Sequence, residues 1–184
     1  MSEINDIEIA KLSKEESKNK PIDKKEYDRK IAEWQMFFLN NLNIFVKEVL
    51  GIPLHFFQEQ LLLMMWDSEI FAFIGSRAIG KSFITAIFVV AICLLLPNYK
   101  VTICSMTKGQ GNIIVEEKIQ KILSSNTGLS KLLNQLVNEG YIKFTRDRET
   151  GGAIVLFGNG AEIHCSFVGE SMRGKIIKMK LSII

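Results

Sequence analysis

Proline, cysteine and histidine are scarce in this 184-residue chain, which contains three, three and two of them. The cysteines are scattered and odd in number, and no CxxC or His–Cys cluster is present, so neither a disulfide framework nor a zinc site is indicated. We expect three buried thiols. The two histidines, His55 and His164, have no neighbours in the sequence that would make them ligands or bases, and both are predicted to be structural.

Long apolar runs are also missing. The longest, Phe83–Leu96, has 14 residues with Thr85 as its one polar member, whereas a membrane span needs about 20. It is predicted to be a buried helix, and no membrane partner is expected. The first thirty residues contain no continuous apolar run, so no secretory signal is indicated. The net charge of +3 permits a nucleic-acid partner without arguing for one.

Composition divides the chain into a flexible charged leader, residues 1–22, and one domain, residues 23–184. Apolar periodicity predicts helices over Lys24–Leu50, Phe56–Trp66, Phe83–Leu96, Gly111–Leu123 and Ser130–Asn138. Strands are predicted over Glu69–Ile74, Lys100–Ser105, Ile142–Phe144, Ala153–Phe157 and Ala161–Phe167, and another begins near Lys178 and runs to Ile184. Gly158-Asn159-Gly160 is predicted to be a hairpin turn, because Asn and Gly accept positive φ. Alternating strands and helices indicate an α/β fold with a mostly parallel sheet flanked by helices.

The segment Gly75-Ser76-Arg77-Ala78-Ile79-Gly80-Lys81-Ser82 matches the phosphate-binding pattern G-x-x-x-x-G-K-[ST]. It follows a predicted strand and opens a predicted helix, which is the context that this motif requires. The sequence therefore predicts a P-loop that binds a nucleoside triphosphate, with ATP the expected one. The alternative is a glycine-rich turn with a surface lysine.

Each fixed residue of the motif has a chemical reason. Gly75 and Gly80 let the backbone N–H groups approach a phosphate without a Cβ in the way. Lys81 supplies a positive charge for the β- and γ-phosphates, and Ser82 offers a hydroxyl to Mg²⁺. Arg77 has two readings: a contact to the γ-phosphate, or a solvated side chain on the loop tip.

Several segments together resemble the N-terminal ATPase domain of the large terminase subunit, the DNA-packaging motor of tailed bacteriophages. The resemblance covers roughly residues 35–184, and only the P-loop is highly specific alone. It rests on VLGIPLHFFQEQLLLMMW (Val49–Trp66), GSRAIGKS (Gly75–Ser82), VTICSMTKGQGNIIVEEKI (Val101–Ile119) and GESMRGKIIKMKLSII (Gly169–Ile184).

The resemblance implies a P-loop NTPase fold, ATP and Mg²⁺ as cofactors, Arg77 and Lys81 as catalytic residues, and Gln58 as an adenine contact. Read alone, Gln58 is a polar position on an amphipathic helix, and Thr107 and Gln110 are a polar loop and a helix start. The implied partners are double-stranded DNA, the small terminase subunit, the portal of the procapsid and further copies of the chain. The implied location is the cytoplasm of a bacterial host.

The chain departs from the family in one respect. ATP hydrolysis there needs an apolar strand that ends in an Asp for Mg²⁺, followed by a Glu that activates water, and no acidic residue follows Glu170. Glu162 and Glu170 do not fit as substitutes, and Arg173-Gly174 reads as an exposed turn. We expect a truncated or split gene product with an incomplete sheet, which binds ATP weakly and hydrolyses little. The alternatives are another helicase-like P-loop ATPase and a non-catalytic module that binds nucleotide or motor subunits.

Overall fold

The computed structural model describes residues 24–76, 79–105, 108–124, 136–148, 150–167 and 179–182. The predicted leader, most of the helix Ser130–Asn138 and the ends of the strand Lys178–Ile184 lie outside them. The helices described are α1 (Lys24–Asn40), α2 (Leu42–Ile44), α3 (Phe56–Asp67), α4 (Lys81–Leu95), α5 (Lys108–Ile113) and α6 (Gln120–Ser124); π-helical turns extend α2 over Phe45–Val49 and α5 over Ile114–Ile119. The strands are β1 (Lys100–Ser105), β2 (Ile142–Arg146), β3 (Ala153–Phe157), β4 (Glu162–Phe167) and β5 (Met179–Ser182).

The chain divides into two compact units, of which the first ends at Trp34. Its described part, residues 24–34, is an exposed stretch of α1. Two ion pairs at i,i+4 spacing lie along it, Lys30–Glu26 at 2.9 Å and Arg29–Glu33 at 3.6 Å. Because both pairs are exposed to water, they add little to the stability of this helix.

The single helix predicted for Lys24–Leu50 is interrupted at Asn41. The side-chain Nδ2 of Asn41 donates a hydrogen bond of 2.8 Å to the carbonyl of Phe37. This side chain competes with the backbone for that carbonyl, as Asn commonly does at helix ends. The helix restarts at Leu42 and widens into the π-helical turn, and the rings of Phe38 and Phe45 pack with centroids 5.3 Å apart. The prediction of one continuous helix was therefore wrong.

The five strands form one mixed sheet, in the order β2-β3-β4-β1-β5. Strand β1 pairs parallel with β4 and with β5, while β3 pairs antiparallel with β2 and with β4. The predicted α/β class is confirmed, but the prediction of a mostly parallel sheet was wrong. The connections β2–β3 and β3–β4 are only a few residues long, and connections this short can join only antiparallel neighbours.

The strand predicted for Glu69–Ile74 is not a strand in the structure. This segment has no regular secondary structure, and no backbone hydrogen bond joins it to another residue of the described part of the chain. Its apolar sequence has high β propensity, but a strand forms only where a neighbouring strand accepts and donates its hydrogen bonds. The helix predicted just before it, Phe56–Trp66, is observed within one residue, as α3.

Helix α4 lies at the centre of the core. Every residue from Ile84 to Cys93 is buried, and so is Leu95. The helix packs against the π-helical turn Ile114–Ile119, against α3, and against strands β1 and β4. The prediction of a helix buried on nearly all sides is thus confirmed. A helix without a polar face depends on this packing for its position, because any rotation about its axis would keep apolar side chains facing the core.

All three cysteines are buried, as predicted. Cys93 lies on α4, Cys104 on β1 and Cys165 on β4. Burial raises the pKa of the thiols of Cys93 and Cys165 to about 12, with the nearby Cys104 adding to the effect at Cys165. The Sγ of Cys165 donates a hydrogen bond of 3.3 Å to the carbonyl of Gly111, which ties β4 to α5.

The predicted hairpin turn between β3 and β4 also holds the end of α4. Nδ2 of Asn159 donates a hydrogen bond of 2.8 Å to the carbonyl of Cys93, one of the carbonyls in the last turn of α4. The backbone N–H of Asn98 donates to the carbonyl of Asn159 at 3.1 Å. Gly160 has a positive φ of 81°, and a Cβ at this position would lie 2.2 Å from Oδ1 of Asn98. The turn therefore favours glycine at 160 for its conformation, and a Cβ there would force the exposed side chain of Asn98 to move.

We predict that Gly160→Ala lowers the free energy of unfolding by about 1–3 kcal/mol, since left-handed strain is joined by the cost of moving the Asn98 side chain. Gly151→Ala is the matched control: Gly151 also has a positive φ, 68°, but nothing lies within 4 Å of its added Cβ. We expect that control to cost about 1–2 kcal/mol, from backbone strain alone. Urea denaturation followed by circular dichroism measures both. Equal losses would show that the contact with Asn98 does not constrain the turn.

Candidate functional site

The P-loop residues lie between the extended segment that ends at Ile74 and the first turn of α4. Gly80 adopts a left-handed conformation, with φ 88° and ψ 20°, and its carbonyl accepts the first helical hydrogen bond, from the N–H of Ile84 at 2.9 Å. A Cβ on Gly75 would lie 3.1 Å from Cγ2 of Ile79, so the two ends of the loop approach each other closely. Arg77 and Ala78 lie outside the described residues. The described part of the loop is curled, with glycine where its conformation requires it.

The side chain of Lys81 turns back over this loop. Its Nζ donates hydrogen bonds to the carbonyl oxygens of Gly75 and of Ser76, the second at 3.0 Å. An ammonium group has three donors and no acceptor. The two carbonyl oxygens therefore accept hydrogen bonds that an anionic ligand could accept instead. The sequence pattern predicted that these residues lie together, and the structure brings them together.

The N-terminus of α4 presents unpaired backbone donors at the same place. The first N–H groups of a helix have no partner within it, and the aligned peptide dipoles give this end a partial positive charge. No side chain of the described residues caps this end with a hydrogen bond. Ser82, in the first turn, is partly exposed. The backbone donors at this helix end and the Lys81 ammonium therefore lie in one region whose charge favours anions.

Gln58 lies beside this loop although it belongs to α3. It is buried, with 7% of its surface exposed. Its Oε1 accepts a hydrogen bond of 3.0 Å from the backbone N–H of His55, which closes the N-terminus of α3. Its Nε2 lies 3.4 Å from the position that a Cβ on Gly80 would occupy. The structure thus places Gln58 against the P-loop and gives it a capping role that the sequence analysis missed.

No group of three or more His, Cys, Asp and Glu side chains that could hold a metal ion occurs among the described residues. A magnesium ion that accompanies a nucleotide needs no such group, since phosphates and water fill most of its positions. Ser82, the residue that the sequence motif assigns to that ion, lies in the first turn of α4 and is partly exposed. Thr107, the side chain of Gln110, Glu170 and Arg173-Gly174 lie outside the described residues.

A second polar cluster lies near the other end of α4. Oε2 of Glu162 is 2.9 Å from Nε2 of His164, which donates a hydrogen bond to it, and 3.2 Å from Nζ of Lys100. The hydrogen bond from His164 is the largest cause of a lowered pKa at Glu162; Lys100 lowers it further, and burial opposes both. The sequence analysis did not predict this contact of His164 with Glu162. The signal was present in the sequence, because residues i and i+2 of a strand share a face.

The comparisons with known proteins identify no relative of this chain: no protein-family model matches it, and no curated protein matches it. Among the described helices, none combines the length and the apolar character that crossing a membrane requires.

We predict that Glu162→Gln lowers the free energy of unfolding near neutral pH by about 1 kcal/mol. A lowered pKa in the folded state means that the ionised carboxylate stabilises the fold above its ordinary pKa of 4.5, and that this contribution is lost as the pH falls through the lower folded value. The difference between the two proteins should therefore shrink below about pH 4.5.

Urea titrations at a series of pH values measure this difference. Glu69→Gln is the control, an exposed glutamate that makes no ion pair within the described part of the chain. A difference that stays constant from pH 7 to pH 3 would contradict the role given to Glu162.

Proposed function

We propose that this chain binds a nucleoside triphosphate, ATP, at the loop Gly75–Ser82. The observation that supports this most directly is the position of Lys81, whose ammonium is held by the carbonyls of Gly75 and Ser76 at the N-terminus of α4. A triphosphate oxygen can replace these carbonyls as the acceptor of the hydrogen bonds that Lys81 donates. A charged donor and free backbone N–H groups that face one space suit a polyanion better than any neutral ligand.

Each residue has a proposed part in that binding. Gly75 and Gly80 allow the backbone to curve around the β-phosphate, and Lys81 contacts the β- and γ-phosphates. Ser82 donates its hydroxyl oxygen to Mg²⁺, which would neutralise phosphate charge. Gln58, whose Oε1 is held by His55, has its amide Nε2 directed toward the P-loop side, where an adenine acceptor could reach it. Arg77 is assigned to the γ-phosphate from the sequence alone.

We further propose, on the resemblance alone, that this is the ATP-binding part of a terminase large subunit. In that role it contributes to the movement of double-stranded DNA into a procapsid, in contact with the small terminase subunit, the portal and further copies of the chain, in the host cytoplasm. Arg77 and Lys81 would be its catalytic residues. The net charge of +3 is compatible with sequence-independent contacts to DNA phosphates.

We predict that Lys81→Ala weakens the binding of Mg·ATP by about 10- to 100-fold, since it removes a charged hydrogen-bond donor. Isothermal titration calorimetry measures the affinity, and phosphate release measures turnover in the same samples. Lys143→Ala, which removes an exposed lysine on β2, is the matched control and should bind as the native chain does. Native protein that fails to bind Mg·ATP, or binds it equally well after Lys81→Ala, would refute the proposed site.

Binding to DNA separates the motor proposal from a helicase-like ATPase. Fluorescence anisotropy with double- and single-stranded oligonucleotides of equal length, in the presence of Mg·ATP, makes the comparison. A packaging motor should prefer the duplex without regard to its sequence, and the affinity should fall steeply as salt rises. A preference for the single strand would favour the helicase-like alternative.

A further inference from the structure

The segment Ile70-Phe71-Ala72-Phe73-Ile74 is an exposed apolar stretch of chain that precedes the P-loop. The exposed fraction of Ile70 is 93% and that of Ile74 is 97%. Ala72 between them is exposed as well, whereas Phe71 and Phe73 are partly covered. Exposed isoleucine of this extent is uncommon on a protein surface unless the surface is a contact site.

The backbone of the same segment is also available for pairing. No hydrogen bond joins its main chain to another residue in the described part of the protein. Isoleucine and phenylalanine have high β propensity, and an apolar segment with unpaired N–H and C=O groups readily adds to another strand. Within the described part of the chain, Ile70, Ala72 and Ile74 thus have exposed side chains and the main chain of the segment has no backbone partner, while Phe71 packs against the hydrophobic core.

The order of the residues indicates which partner fits. Ile-Phe-Ala-Phe-Ile reads the same in both directions. When two copies pair antiparallel around a two-fold axis at Ala72, Ile70 faces Ile74 of the other copy, and Phe71 faces Phe73. One face of the ribbon then carries Ile–Ile and Ala–Ala pairs and the other carries aromatic pairs, all of which are favourable cross-strand neighbours.

Charge favours the antiparallel over the parallel arrangement. Glu69 comes immediately before the segment, and in a parallel in-register pair the two Glu69 carboxylates would lie side by side and repel each other. In the antiparallel pair each Glu69 lies opposite Gly75, and the two carboxylates are separated by about 20 Å.

We propose that this segment is a homodimerisation strand, which pairs antiparallel with the same segment of a second copy across a two-fold axis at Ala72. A two-stranded ribbon alone is marginally stable, so other exposed apolar surface of the two copies has to contribute. Phe57 and Met64 are exposed on α3, seven residues apart and hence on one side of that helix. This proposal does not depend on nucleotide binding, since the side chains that pair across the two-fold axis all lie before the loop Gly75–Ser82.

Sedimentation velocity across a range of concentrations tests the proposal on the full chain. The native protein should sediment at twice the chain mass of 20.9 kDa at high concentration and dissociate on dilution. Ile70→Lys/Ile74→Lys places like charges opposite each other and should weaken dimerisation by at least about tenfold. Met36→Lys/Ile113→Lys, which adds the same charge at two other exposed apolar residues, should leave it unchanged.

A charge-pair variant tests the register. Ile70→Lys/Ile74→Glu places a lysine opposite a glutamate only in the antiparallel two-fold pair, so it should dimerise better than the double-lysine variant. In a parallel pair it would place like charges together and would not dimerise. All these positions are exposed, and circular dichroism checks that each variant is folded.

The outcomes are distinct. A native chain that remains a monomer, an association that the double-lysine variant does not weaken, or a charge-pair variant no better than the double-lysine one would each overturn the proposal. Loss of dimer in Met36→Lys/Ile113→Lys would overturn it in favour of another apolar surface. Mg·ATP affinity measured on the double-lysine variant keeps this result separate from the proposed nucleotide site.

Discussion

The burial of helix α4 is the constraint on which the rest of this molecule depends. Ten consecutive residues, Ile84–Cys93, have no solvent-facing side, so every neighbouring element has to cover some part of them. The π-helical turn Ile114–Ile119, helix α3 and the strands β1 and β4 do so. With its body enclosed, the helix meets water chiefly at its ends. One end carries Gly80 and Lys81, and the other is held by Asn159 of the hairpin turn.

This arrangement separates the two kinds of polar chemistry in the chain. The N-terminal end of α4 has a partial positive charge, a lysine and no described acidic partner. The opposite end lies near Glu162, His164 and Lys100, where a carboxylate is surrounded by donors. The first region attracts anions from outside, whereas the second satisfies its own charges. Only the first therefore has the character of a ligand site, and the second is explained by folding stability.

The sequence was a good guide where structure is determined locally. The pattern Phe56–Trp66 specified α3 within one residue, and Lys100–Ser105 specified β1 at both ends. The turn Gly158-Asn159-Gly160 was predictable because few residues tolerate positive φ. Pairing is not local, and here the prediction failed. Glu69–Ile74 has the composition of a buried strand but pairs with no strand of the described residues, and the sheet is mixed because short connections reverse the chain.

The local surroundings of the candidate site were predicted in part: the helix after the motif is observed as α4, whereas the strand expected before it, Glu69–Ile74, is not a strand. Glycines that relieve steric conflict, a lysine and a hydroxyl at fixed spacing describe a phosphate loop before any coordinates are known. The capping hydrogen bond between Gln58 and His55 was not predicted, because it depends on where α3 begins. The partnership of Glu162 with His164 could have been found from their spacing on one strand. The helix is interrupted at Asn41 by a side-chain hydrogen bond, which cannot be predicted from the spacing of apolar residues.

The three buried cysteines have a practical consequence for spectroscopy. The thiolate is the form that reacts with maleimides, and burial disfavours it at Cys93 and Cys165 while shielding all three thiols from reagents. A cysteine introduced on the surface would react well ahead of them. Fluorophores or spin labels can thus be attached to single sites on the otherwise native sequence, without first replacing residues that fill the core.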